Sequence, residues 1–313
     1  MRSRWIGAAL IASLCFFASW SHAAGYPERP VTIVVPWPPG GLTDNLGRML
    51  AQKLGKRLGV SFVVDNKPGA SALIGSEYVM RAAPDGYTLL VTSSDGTVKM
   101  LQTPSTDPVT QFTSVGMLAS VPVVLAVGPK FKGATLEDYV NAARKDPGTV
   151  SYASLGEGGA TNYAMESFAK QAGARLMHIP YKGTAPVLTD LLGGQVDSTL
   201  LSLQSLRSYL QNGRLRGVAV TGRARPADMP ALPTFAEQGY PHFDMSLWYG
   251  IAGPKGMSPD VVKKLNDAIR ASLDEPDFKK MLSDAAAETL SGTPQDMDAF
   301  VRTQAAKWKE MMK

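Results

Sequence analysis

The sequence predicts an α/β protein of two doubly wound lobes, joined by a two-strand hinge with a ligand cleft between them. Three observations carry this. Short apolar, β-branched runs alternate with helical patterns from Val31 to Thr92, the signature of a parallel sheet with crossover helices. The same order restarts at Thr135 and runs to Val220. Between and after these series, segments near 120–127 and 222–246 carry the chain across and back, which makes a hinge.

The elements follow in order. Val31 to Val35 reads as a buried strand, and Pro38-Pro39-Gly40-Gly41 must turn. Thr43 and Asp44 then open a helix through Leu46, Leu50 and Leu54 to about Arg57. Val60 to Val64 is a second strand, and Ser71 is the expected cap of a helix reaching Arg81. Tyr87 to Thr92 is a third strand, ending at the small polar tip Ser93 to Thr97. Phe112 to Ser120 and Val121 to Val127 read as two strands, interrupted near Pro122. In the second series, helices are expected over 135–145, after Asn162, over 185–192 and over 202–211. Strands are expected over 150–153, 176–179, 196–201 and 216–220. Arg223 to Pro241 is a proline-rich return link, Leu247 to Ala252 a strand rejoining the first lobe, and three helices close the chain from Pro259. Residues 24–122 plus 223–313 thus form lobe 1, and 123–222 form lobe 2.

Residues 1–23 stand apart. Arg2 and Arg4 precede the uncharged apolar run Trp5 to Trp20, and Ser21 and Ala23 suit a cleavage site. This is read as a secretory signal peptide, since the run is short for a bilayer span of ~20 residues. The single cysteine, Cys15, lies inside that run behind Leu14, which is wrong for lipoprotein cleavage. The mature chain is therefore expected to be periplasmic, free of cysteine and dependent on its core alone.

Composition excludes several classes. Hydrophobic residues make up 44% and charged residues 19% of the 313, which is normal for a globular protein. Losing Arg2 and Arg4 lowers the formal charge from +5 to +3, with no basic run to suit nucleic acid. Gly156-Glu157-Gly158-Gly159-Ala160-Thr161 fails the dinucleotide fingerprint at Thr161. Ser167-Phe168-Ala169-Lys170 lacks the companion motifs of penicillin-recognising enzymes. His178 and His242 have no metal-ligand spacing, so neither metal nor cofactor is expected.

Four glycine-bearing polar tips follow strands: Pro38 to Asp44, Ser93 to Thr97, Ser154 to Asn162, and Tyr181 to Thr184. Ligands of doubly wound sheets bind at the carboxyl ends of strands, where these tips fall. The first is the most anion-friendly, because glycines precede a helix N-terminus with unpaired N–H groups. Trp37 is a candidate wall of the cleft; Trp248 is equally or better explained by core packing. No nucleophile–base pair can be assigned by spacing. Hydroxyls and backbone N–H groups suit binding of a carboxylate better than its turnover.

These residues resemble a known family. Tyr26-Pro27-Glu28-Arg29-Pro30 followed by Val35 to Asp44 is similar to the mature start of Bug-type proteins, the periplasmic solute receptors of tripartite tricarboxylate transporters. Asn66-Lys67-Pro68-Gly69-Ala70, Ala83 to Leu89, Tyr152-Ala153-Ser154, His178 to Pro186, Leu191 to Asp197 and Trp248-Tyr249-Gly250 continue the likeness in family order. The resemblance implies a type II periplasmic-binding-protein fold that closes on carboxylates like a flytrap. It implies that Pro39, Gly40, Gly41, Thr43 and Asp44 hold the ligand carboxylate, with donors from Ser154, Gly156, Gly158, Gly159, Thr161 and Asn162. Ser93, Ser94, Tyr181, Gly183 and Thr184 complete the expected cleft with Trp37. Two departures stand out: Glu157 and Tyr163 in the second of these loops, and Leu201 where many relatives place an acid. The latter points away from an amino-bearing ligand. The expected partners are the permease subunits of a transporter or a sensor, the expected state is a monomer, and the rival reading is an enzyme acting on a carboxylate in the same cleft. Whether Thr43 and Asp44 touch the ligand or only cap the helix stays open.

Overall fold

The computed structural model describes residues 25–312 apart from Pro104, Arg223, His242 and Asp244. The signal-peptide reading lies outside these residues. The chain runs β1 (Val31–Val35), α1 (Leu42–Leu58), β2 (Phe62–Asn66), α2 (Leu73–Met80), β3 (Thr88–Ser93), α3 (Ser94–Leu101), the short α4 (Pro108–Gln111) and β4 (Phe112–Val127). It continues through α5 (Leu136–Lys145), β5 (Ser151–Ser154), α6 (Ala160–Gln171), β6 (Met177–Pro180), α7 (Thr184–Gly193), β7 (Ser198–Ser202), α8 (Leu203–Gln211) and β8 (Arg216–Val220). After the return link come β9 (Ser246–Pro254), α9 (Pro259–Leu273), α10 (Pro276–Asp284), β10 (Glu288–Thr289) and α11 (Pro294–Met311).

The strands lie in the order β2-β1-β3-β9-β4-β7-β5-β6, with β8 and β10 also paired to β4. β1 is parallel to β2 and β3, and β5 is parallel to β6 and β7, as crossover helices require. β9 and β4 run antiparallel between these two parallel sets. β4 is the shared member: Phe112 to Pro122 pairs with β9, and Val123 to Val127 pairs with β7.

That finding corrects the expected break near Pro122: β4 is one strand of 16 residues. Pro122 stands opposite Ser246 at the last register position with β9, and pairing to β7 starts one residue later. The missing N–H therefore falls where partners change, as it would at a strand end. The return crossing lies beside it. Thr221 N–H donates to Val123 O, and Val123 N–H donates to the Thr221 hydroxyl, both at 2.9 Å.

Helix α1 shows how the sequence fixes local structure. Leu46, Leu50 and Leu54 recur every four residues and are all fully buried, each stabilising by about 1.5–3 kcal/mol. Gly47 lets the helix approach β1, since a Cβ there would lie 2.8 Å from Val35 Cγ2. Gly59 ends the helix at φ 76°. Elsewhere Thr135 forms the expected start of α5, as a reciprocal capping box with Asp138.

Two local readings change. The tip after β3 is already helical from Ser94, so its small residues make the first turn of α3. Ser71 does not cap α2; Ala70, Ser71 and Ala72 all take positive φ (47°, 51° and 75°), and Ala72 holds the cap position. Such backbone is costly for non-glycine residues and persists where surrounding contacts hold it. Here Ser71 reaches the loop before α6, where its hydroxyl donates to Glu157 O.

Candidate ligand-binding site

A cavity of about 360 Å³ opens between the two parallel sets of strands. The β1–α1 loop from Trp37 to Thr43 forms one wall, with Asp95, Leu247 and Tyr249 beside it. The starts of α7 (Thr184, Ala185, Pro186) and α8 (Ser202, Gln204, Ser205) form the opposite wall, together with Leu155, Leu188, Leu201 and Tyr209.

The first wall is braced from behind. Gly40 turns at φ 93°, and Gly41 occupies the N-cap of α1 with no side-chain cap. The loop is held by Asp44, which does not line the cavity. The buried Asp44 carboxylate accepts from Gly40 N–H at 3.0 Å, Arg48 Nε at 2.8 Å and Asn66 Nδ2 at 2.8 Å. Burial pushes this carboxyl up, but the hydrogen bonds from Arg48, Asn66 and Gly40 outweigh it and hold it below its ordinary range. Asn66 Nδ2 also donates to Trp37 O at 3.0 Å, tying the loop's other end.

The opposite wall uses the same device. α7 begins at Gly183, again without a side-chain cap, while Ser202 caps α8 through Ser205 N–H. Gly183 has φ 147°, a backbone conformation that favours glycine, and it lies beside Pro38 of the first wall, where a Cβ would make ordinary contact at 3.4 Å. Two helix N-termini without side-chain caps thus face one cavity. The residues that line it include no Lys, Arg or His. An anion bound there would be held by backbone N–H groups and hydroxyls.

The expected site residues divide into two groups. Trp37, Pro39, Gly40, Gly41, Thr43 and Thr184 line the cavity. Gly183 packs against Pro38 behind the lining, and Tyr181 turns its hydroxyl to Asp190 at 2.6 Å. Ser93 and Ser94 are buried behind it, with the Ser94 hydroxyl accepting from Trp248 N–H at 2.8 Å. Trp248 itself packs edge-on against Phe300 in the core, away from the cavity.

Most of the loop after β5 turns elsewhere. Thr161 accepts from Leu155 N–H, and Asn162 accepts from Gly158 N–H while donating to Tyr152 and Glu166. The loop's carbonyls dock onto the first set of elements: Gln102 donates to Gly158 O and Lys99 to Glu157 O. Where α6 begins beyond Gly159, Ala160 N–H donates to Asp95 Oδ1 at 3.0 Å. The protein's own carboxylate therefore occupies the helix start that the resemblance assigns to the ligand.

Ser154 Oγ lies 2.6 Å from His178 Nε2, a pairing that spacing along the chain could not show. Ser154 is fully buried and outside the cavity lining, and burial holds the His178 imidazolium pKa down.

Sequence reading places the Ser93 to Thr97 tip at the cleft but singles out Ser93 and Ser94 in it, where Asp95 is the member that lines the cavity; it does not single out Ser202, Gln204, Ser205, Tyr209 or Tyr249. Ser202 and its neighbours carried the usable signal, a polar strand end running directly into a helix. Asp95 is the charged member of the lining. Burial lifts its carboxyl to about 6 against the opposing N–H bonds of Ala160 and Thr161. Tyr249 is raised by burial and by the charge of Asp95, so its phenol stays protonated. Among the described residues no cluster could hold a metal ion, and no helix is long and apolar enough to cross a membrane.

Comparison with known proteins agrees with this architecture. Residues 46–313 match TctC, the tripartite tricarboxylate transporter family receptor. BugT of Bordetella pertussis is 34% identical over 287 residues, covering 90% of this chain and 88% of BugT. The periplasmic binding protein BugD is 35% identical with a TM-score of 0.85, covering 91% of this chain and 97% of BugD. Rpa4515 of R. palustris, solved with adipate, is 33% identical with the same TM-score and the same coverage of both chains.

Proposed function

This chain belongs to the tripartite tricarboxylate transporter receptor family, TctC, and on that premise we propose that it is an exported periplasmic receptor for a small organic carboxylate. The observation that carries the reading is the pair of helix starts without side-chain caps, α1 and α7, facing one cavity of about 360 Å³. In that arrangement Gly41 and Thr43 from one side and Thr184 and Ala185 from the other present backbone donors to one carboxylate, while Gly40, its own N–H held by Asp44, shapes the turn. The adipate in Rpa4515 supports the ligand class.

The mechanism is binding with closure, not chemistry. Residues 24–122 plus 223–313 act as one lobe and 123–222 as the other, hinged where Val123 and Thr221 exchange hydrogen bonds. The ligand stabilises the closed form by its differential affinity for the two forms. The closed form is then read by permease subunits of a transporter or by a sensor.

A thermal-shift screen of the mature chain against aliphatic and aromatic acids tests this. A ligand at 100 times its Kd adds about 2.7 kcal/mol. The bound acid should be recovered unchanged after release. A flat response across both acid classes overturns the receptor reading, and recovery of a converted acid favours an enzyme.

A further inference from the structure

Asp95 is the sole Asp, Glu, Lys, Arg or His among the described residues that line the cavity. It is 4% exposed, and its carboxylate is anchored across the molecule, from the start of α3 to Ala160 N–H at the start of α6. Gly159 packs against the same atom, since a Cβ there would lie 3.2 Å from Asp95 Oδ1. The side chain therefore cannot swing out of the cavity without abandoning a buried N–H. The lining supplies no cation to offset its charge.

A single ligand carboxylate can sit among the N–H groups of α1 and α7. A second one cannot escape Asp95. A sphere of about 360 Å³ is only about 9 Å across, close to the screening length of ~8 Å in physiological salt, and a closed cavity screens less than salt water does. We infer that Asp95 determines ligand specificity: the cavity takes an acid with one carboxylate whose other polar group is a hydrogen-bond donor (hydroxyl, carboxamide or ammonium), and it discriminates against dianions. This rests on the carboxylate-receptor reading and narrows it. The preference comes from the β3–α3 junction, where the sequence reading looked instead to Leu201. With its carboxyl lifted only to about 6, Asp95 is ionised at pH 7.5 and acts as an acceptor there. The protonated Tyr249 phenol beside it adds a donor that a hydroxyl can also meet.

Matched acids test the inference by calorimetry at pH 7.5: adipate against its monoamide, 6-hydroxyhexanoate and 6-aminohexanoate, and benzene-1,4-dicarboxylate against 4-hydroxybenzoate. The wild-type chain should bind the monoanions or zwitterion of at least one set ten or more times tighter than the matching dianion. Asp95→Asn retains an acceptor for Ala160 N–H while removing the charge, and it should close that gap at least tenfold. Asp95→Ser should move the ratio in the same direction, with circular dichroism confirming that both variants are folded. A wild-type chain that binds dianions as tightly as their partners overturns the inference, as does a ratio unmoved in both folded variants. Failure of every acid to bind wild type and variants alike instead sinks the receptor reading on which the inference rests.

Discussion

Asp44 and Asn66 are joined by a 2.8 Å hydrogen bond that fixes the β1–α1 loop from outside the cavity. Asn66 stands at the end of β2, and its amide also reaches Trp37 O, so one side chain orients both ends of Trp37 to Gly41. The binding loop is thus positioned by residues that do not line its cavity.

Asn66→Ala should therefore weaken ligand binding about tenfold while costing about 1–3 kcal/mol of stability, since the buried Asp44 carboxylate loses a donor. Titration calorimetry and urea unfolding of the same variant measure the two effects. Unchanged affinity with reduced stability would show that the loop needs no such brace.

Acidity should act through Asp95 with a definite sign. Its folded pKa, about 6, lies above its ordinary value of 3.8, so the folded chain holds more protons between those values. The stability contribution is fully present below about pH 4 and is lost as pH rises through about 6. The loss is about 3 kcal/mol, on the order of two pKa units. Asp44 works in the opposite sense, since its lowered pKa stabilises the fold above its ordinary range and is lost in acid. The difference in unfolding free energy between wild type and Asp95→Asn, measured from pH 4 to pH 7.5, isolates the Asp95 part. A flat difference contradicts the assignment.

Gly183→Ala should destabilise the chain by about 1–3 kcal/mol, because φ 147° with ψ 174° is a conformation that essentially only glycine adopts. The added methyl group would sit in ordinary contact with Pro38 at 3.4 Å, so the cost is conformational. Ligand affinity should fall together with the thermal midpoint. Loss of stability with full affinity would mean that α7 does not hold the ligand.

Thr221→Val should cost about 1–3 kcal/mol by removing the hydroxyl that accepts from buried Val123 N–H at the crossing between the strand sets. Urea unfolding should show a lower midpoint with an unchanged slope, the mark of a stability change without altered compactness. An unchanged midpoint would mean that water or a neighbouring group replaces the lost acceptor.

The sequence by itself determined the elements and their grammar. Leu46, Leu50 and Leu54 dictate the buried face of α1, and the Pro-Pro-Gly-Gly turn before Thr43 dictates an open helix start, because both depend on residues a few positions apart. The family likeness was legible for the same reason, being carried by short contiguous runs from Tyr26 to Gly250. Only the tertiary structure decided which strand ends meet. Asp95 finds its N–H donor 65 positions away at Ala160, Ser154 meets His178 on the neighbouring strand, and Ser202 joins the cavity because β7 pairs with the far half of β4. Periodicity records which face of an element is buried. The ligand wall is set by pairings between distant strands and by the buried charge that those pairings leave without a cationic partner.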